Sequence, residues 1–141
     1  MKRAMRKYLI ILLSLVLSIQ VYSQEKPVQI VFDVTSADPL VHEATMRHVS
    51  EMSKNYQDSK FQVVLYGGSV NMVVSEKSSV LKEIKSLASN KNVGFAICEQ
   101  TMKRRNITAD QLIPGVIIVP DGILEIILKQ QQGWGYIKES N

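Results

Sequence analysis

The chain has 141 residues, 45% hydrophobic and 21% charged, with 17 Lys+Arg against 13 Asp+Glu and a formal net charge of +4. The surplus is confined to Lys2, Arg3, Arg6 and Lys7, and no acidic residue precedes Glu25, so residues 24–141 carry 13 basic side chains (17 less these four) against 13 acidic ones. A strongly basic nucleic-acid binder is thereby excluded, because such binding draws on a surplus of clustered Lys and Arg.

In chain order, residues 1–7 read as a basic leader segment and residues 9–19 as its apolar run. Gln20-Val21-Tyr22-Ser23 then sets Val21 and Ser23 at the two positions a signal peptidase reads. This is the tripartite pattern of a secretory signal peptide, with cleavage expected between Ser23 and Gln24. A membrane-spanning helix needs about 20 apolar residues, which this run does not reach. The expectation is an exported domain over residues 24–141, periplasmic or secreted, touching a membrane only through an uncleaved signal peptide. No Cys follows the apolar run, so a lipid anchor is not expected. The remaining 118 residues suit one domain with a real core. Its single cysteine, Cys98, cannot form an internal disulfide, so stability must come from packing.

Four short β-rich runs follow: residues 28–34, 61–66, 93–97 and 116–119. They are apolar almost continuously rather than in alternation, as strands buried on both faces are. Helical patterns separate them. Asp38 can cap the first helix, with Pro39 at its first position. On it, Val41, Ala44, Thr45, Val49, Met52 and Tyr56 form one side, with His48 inside the apolar stripe and His42 at its border. The second helix runs over residues 80–88. The third follows Cys98 and ends near Asn106, since Asn tolerates the left-handed conformation of helix ends. Thr108 and Gln111 have capping-box spacing, and Pro114-Gly115 stops that turn. A last helix over residues 123–131 leads to an edge strand at residues 133–137, with Trp134 and Tyr136 on one face. The alternation specifies an α/β domain with a mostly parallel sheet and helices on both sides.

In such sheets ligands bind beyond the carboxyl ends of the strands. Cys98 stands there, between a strand and a helix start, where positive potential favours the thiolate. Lys103 and Arg104 lie one to two turns on and are the candidate thiolate-stabilising charges, with Glu99 opposing them. The alternative is a buried, inert thiol, as free Cys often is. Asp33, Gly67 and Gly68 are candidate crevice residues at other strand ends; capping and turn formation are their simpler roles. Neither GxGxxG nor GxxxxGK[ST] is present, so nucleotide binding is disfavoured and no cofactor is implied. His42 and His48 lack the i, i+4 spacing of a helical metal pair, so no metal site is expected. No Gly-x-Ser-x-Gly elbow exists, and a cysteine hydrolase would need a histidine that nothing places beside Cys98.

The stretch Phe95-Ala96-Ile97-Cys98-Glu99-Gln100-Thr101-Met102-Lys103-Arg104-Arg105-Asn106-Ile107 resembles the cysteine segment of the DsrE/DsrF-like family. There an apolar strand ends in Cys, and the helix after it bears Asn-Thr-Leu-Arg and closes on Gly-Ile. Val31-Phe32-Asp33-Val34-Thr35 with Asp38-Pro39, Pro114–Ile123 and Gln131–Ile137 resemble the same family. Gln100, Lys103 and Asn106 stand where Asn, Arg and Gly are usual. The resemblance implies a three-layer α/β/α sandwich on a five-stranded, mainly parallel sheet. It also implies homo-oligomers such as trimers or hexamers, and persulfide transfer through Cys98 with a donor or acceptor protein. The other expectation is a non-catalytic binding or assembly module with an unreactive Cys98, its interface drawn from Trp134, Tyr136 and the apolar edge of the first helix.

Overall fold

The computed structural model describes residues 26–140. The expected signal peptide therefore lies outside the described residues. Strands β1 (Gln29–Val34), β2 (Lys60–Leu65), β3 (Val93–Cys98), β4 (Val116–Val119) and β5 (Gly135–Glu139) alternate with helices α1 (Pro39–Asn55), α2 (Leu81–Leu87), α3 (Glu99–Arg104) and α4 (Gly122–Gln131). The sheet order is β4-β3-β2-β1-β5, and every neighbouring pair is parallel.

This order fixes the layers. From β1 to β4 the chain steps one strand at a time in one direction, and right-handed crossovers keep α1, α2 and α3 on one face. The β4-to-β5 connection returns across the whole sheet, so the same handedness sends α4 to the opposite face. The core divides accordingly. Phe32, Val34, Phe61, Val63, Leu65, Phe95 and Ile97 pack with Val41, Met46, Val49, Ile84 and Met102 of the first three helices. Val31, Val64, Ala96 and Val119 pack with Ile126 of α4. Consecutive residues such as Val31 and Phe32 are both fully buried, one under each helical layer, which is why these strands show no alternation.

One helix covers the second face poorly. At 10 residues α4 is about 15 Å long, against a sheet about 19 Å wide. Ile123, Leu124, Ile127 and Leu128 of α4 are exposed, and so is Ile117 of edge strand β4 on the same face; Ile118, also exposed, faces the three-helix side. The helix is thus apolar on its exposed flank as well as on the side that packs on the sheet.

The caps follow the sequence. Asp38 accepts from the Leu40 N–H ahead of Pro39, and the Thr108–Gln111 capping box is complete. Asn106 has φ 53°, the left-handed end that the third helix requires. The two histidines reverse their expected places. His42 is buried, with Nε2 2.8 Å from the Ser36 carbonyl oxygen, whereas His48 is half exposed and reaches Glu139 at 2.9 Å. The acceptor on the β1–α1 loop makes burial tolerable at position 42. Met46 joins the core, and Tyr56 is left exposed because the helix ends at Asn55 and Tyr56 only caps it. Sequence patterning assigns no element after Gly67-Gly68, yet Gly67–Val73 forms a 3-10 helix that buries Val70, Met72 and Val73.

Candidate functional site around Cys98

Strand parity decides what shares a surface. Asp33 is the penultimate residue of β1, Tyr66 follows β2 and Cys98 ends β3, and all three side chains project to the face covered by α4. Tyr136 and Lys138 of β5 join them, since the parallel register sets Lys138 beside Asp33 and Tyr136 beside Val31. The carboxyl ends of four strands thus present one thiol, one carboxylate, one phenol and one ammonium beside the first residue of α4, and the Tyr136 phenol reaches Asp33 from nearer the start of β5.

Cys98 is 4% exposed. Burial alone would raise its pKa, but donors around the sulfur outweigh it and bring the thiol below its ordinary 9.0. The donors are the backbone N–H groups of Gly122, Thr101 and Gln100 and the Thr101 hydroxyl. The neutral thiol caps no N–H of α3, so these groups act chiefly on the thiolate. With only six residues, α3 contributes local N–H groups rather than a long dipole. The second contributor, Gly122, opens α4, where Asp121 Oδ1 accepts from the Ile123 and Leu124 N–H groups and leaves the Gly122 N–H for the sulfur. A Cβ on Gly122 would come within 3.2 Å of both Cys98 Cβ and Tyr66 Cδ1, so a side chain there would force a shift of a few tenths of an ångström that glycine avoids.

Thr101 is oriented by its own acceptors. Its Oγ1 accepts from the Arg104 guanidinium at 3.2 Å and from the Gly67 N–H at 3.4 Å. Both lone pairs being engaged, the hydroxyl hydrogen is free to point at Cys98. Arg104 and Gly67 therefore bear on the thiol through Thr101. Lys103 is exposed and ion-paired with Glu99 at 3.0 Å, on the solvent side of α3. Gly68 lies against the β1–α1 loop: its N–H donates to the Thr35 carbonyl at 2.9 Å, and a Cβ would meet Thr35 O and Ala37 N at the same distance.

Asp33 is buried and holds two partners on one oxygen. Oδ2 accepts from the Tyr136 hydroxyl at 2.7 Å and from Lys138 Nζ at 3.1 Å; Nζ also reaches Thr35 Oγ1 at 2.8 Å. Tyr136 is pushed up to about 12, first by its hydrogen bond to Asp33 and then by burial. Tyr66 is also pushed up to about 12, by burial first and by the Asp33 charge second. Asp33 Oδ1, meanwhile, is buried with no hydrogen-bond donor. Thr101, Gly122, Tyr66, Tyr136 and Lys138 carry no motif of their own in the sequence. Strand parity with parallel register would have pointed to the last three, and the Asp121-Gly122 step after β4 to the second helix start.

Among the described residues, no three His, Cys, Asp or Glu side chains converge to hold a metal, and no helix is long and apolar enough to cross a membrane. The DsrE/DsrF-like family model matches residues 29–138, which takes in every strand except the last residue of β5. The chain belongs to the DsrE/DsrF-like family. Solved structures share its fold. A protein of unknown function, MTH1491 from Methanobacterium thermoautotrophicum, is 24% identical, with TM-score 0.74 over 79% of this chain and 98% of its own. The ychN protein of E. coli is 14% identical, with TM-score 0.64 over 81% and 99%. BT1422 from Bacteroides thetaiotaomicron, described as a conserved protein of unknown function, is 16% identical, with TM-score 0.63 over 78% and 93%. No curated protein matches the chain. A DsrE-like fold places Cys98 at a strand end, and the donors around the sulfur then give that position its chemistry.

Proposed function

We propose that the protein is an exported sulfur carrier or thiol-exchange protein acting through Cys98. The observation that carries this reading is a buried thiol whose pKa is nevertheless lowered, by N–H groups from two separate helix starts and one oriented hydroxyl. The Cys98 thiolate attacks the terminal sulfur of a donor persulfide R–S–SH. An S–S bond to Cys98 forms, the donor S–S bond breaks, and the donor leaves as RS⁻. An acceptor thiolate then attacks the same terminal sulfur and returns Cys98 as thiolate. Sulfur passes on with no net oxidation. The N–H cluster raises the fraction of Cys98 present as the attacking thiolate and stabilises Cys98 as the leaving thiolate of the second step. Incubation of reduced protein with a persulfide donor, read by intact mass, is expected to add one sulfur to the wild type and none to Cys98→Ser. A wild type that stays unmodified would contradict the reading.

Export rests on the pattern of residues 1–23, and N-terminal sequencing of the secreted protein starting at Gln24 is its check. Self-association is supported by the exposed apolar face of α4 and β4 rather than by α1. Trp134 is partly covered by Lys129, whose Nζ sits 4.6 Å from the ring centroid. A second reading, a non-catalytic assembly module, is favoured by the 4% exposure of Cys98. It requires the thiol to react only after denaturation.

A further inference from the structure

Strand β2 lies between β1 and β3, so Tyr66 stands between Asp33 and Cys98. The base of its side chain is packed at the thiol: the Cβ and Cδ1 of Tyr66 line the same gap at Gly122 as the Cβ of Cys98. Its ring centroid lies 5.8 Å from Lys138 Nζ, which is itself paired with Asp33, and its hydroxyl feels the Asp33 charge. The Asp33 carboxylate is fixed in orientation, because Tyr136 and Lys138 both hold Oδ2. Oδ1 is thereby left buried with no donor, the one such side-chain atom among the described residues. A buried acceptor without a partner is costly, so a donor that closes on it is favoured. Immediately after Tyr66 the chain turns at Gly67, φ +63°, a backbone state that glycine adopts freely.

We propose that Asp33 is a positioning residue for the Cys98 site acting through Tyr66: its unpartnered oxygen Oδ1 is the acceptor on which the Tyr66 hydroxyl closes, and the closed state holds the ring across Gly122 and Cys98 as a gate on the thiol. Release of the hydroxyl lets the ring swing out and admits a bulky partner, such as a protein persulfide, to the sulfur. The role rests on the reading of Cys98 as the reacting group. It assigns a task to a carboxylate that donates nothing to the sulfur and is absent from the causes of the Cys98 shift.

The test is a double-mutant cycle on the folded, reduced protein, with the rate of Cys98 modification by a bulky maleimide as readout. Asp33→Asn removes the charge that draws the hydroxyl and Tyr66→Phe removes the hydroxyl itself, each while keeping shape. Each is expected to raise the rate about tenfold, the weight of one hydrogen bond to a charged group. The double variant is expected to be no faster than either single one, because both changes break the same contact. The pH midpoint of the reaction is expected to stay at the wild-type value in all of them. A rate unchanged in either single variant overturns the gate. So do effects that multiply in the double variant, or a rise that grows with sub-denaturing urea, since these report general loosening. The wild-type midpoint tests the sulfur reading separately: a midpoint at the ordinary 9.0 removes the activated thiolate and leaves the ratio of rates to judge the gate.

Discussion

Gly122 gives the sharpest test at the scale of single residues. A Cβ added there would press on both Cys98 and Tyr66, and its N–H leads the donors that lower the Cys98 pKa. Gly122→Ala must push α4 away by a few tenths of an ångström or displace the Tyr66 ring. A loss of about 1–3 kcal/mol in denaturant unfolding is expected, the usual cost of overfilling a packed contact. The thiol midpoint is expected to rise at the same time. A stability loss with an unmoved midpoint would remove Gly122 from the thiolate site. Cys98 itself was legible in the sequence, because a β-rich run ends on it and a helical pattern begins. Gly122 was not, because its approach to Cys98 depends on which face the last crossover takes. Lys103 and Arg104 read alike as charges near the thiol, yet one is spent on Glu99 and the other reaches the site through Thr101. Side-chain partners of that kind cannot be read from spacing.

Helix α4 has two tasks among the elements. Its first residue serves the sulfur, and its flank carries Ile123, Leu124, Ile127 and Leu128 to the surface. If the proposed self-association uses that flank, the wild type is expected to sediment as an oligomer and Leu124→Glu with Ile127→Glu as a folded monomer. A monomeric wild type, or a mass the two changes leave unmoved, would contradict the α4 interface. The alternation of strands and helices was plain in the sequence, since buried parallel strands are continuous apolar runs and the helices between them carry capping residues. The 3-10 helix at Gly67–Val73 was not, because i, i+3 bonding has no apolar period of its own to display. His42 and His48 exchanged places for a related reason: helical periodicity gives a mean direction, whereas the Ser36 carbonyl and Glu139 decide each ring.

For the whole molecule, the shifted groups define a pH window of stability. Cys98 is depressed below 9.0, so the stability it contributes is present above that value and lost as pH falls through the folded pKa. Tyr66 and Tyr136 are raised to about 12, so their contribution is full below 10.0 and lost as pH rises through about 12. Urea unfolding is therefore expected to show the stability of the wild type gaining on Cys98→Ser as pH rises from 7 toward 9.0, and the wild type losing its margin over Tyr66→Phe above 10.0. A gap between wild type and Cys98→Ser that stays constant with pH would mean that the thiol gains nothing from the fold. The neutral domain charge and the α/β class were both visible in composition and pattern. The separation of three helices on one face from a single helix on the other follows only from strand order, and it is this separation that brings α4 to the thiol.

The most direct measurement of the central claim is the pH dependence of Cys98 alkylation by iodoacetamide in the folded, reduced protein, with Cys98→Ser as blank. The expected result is a single titration with its midpoint below 9.0, reached without denaturant. A midpoint at or above 9.0, or a thiol that reacts only once the chain is unfolded, would contradict an activated Cys98.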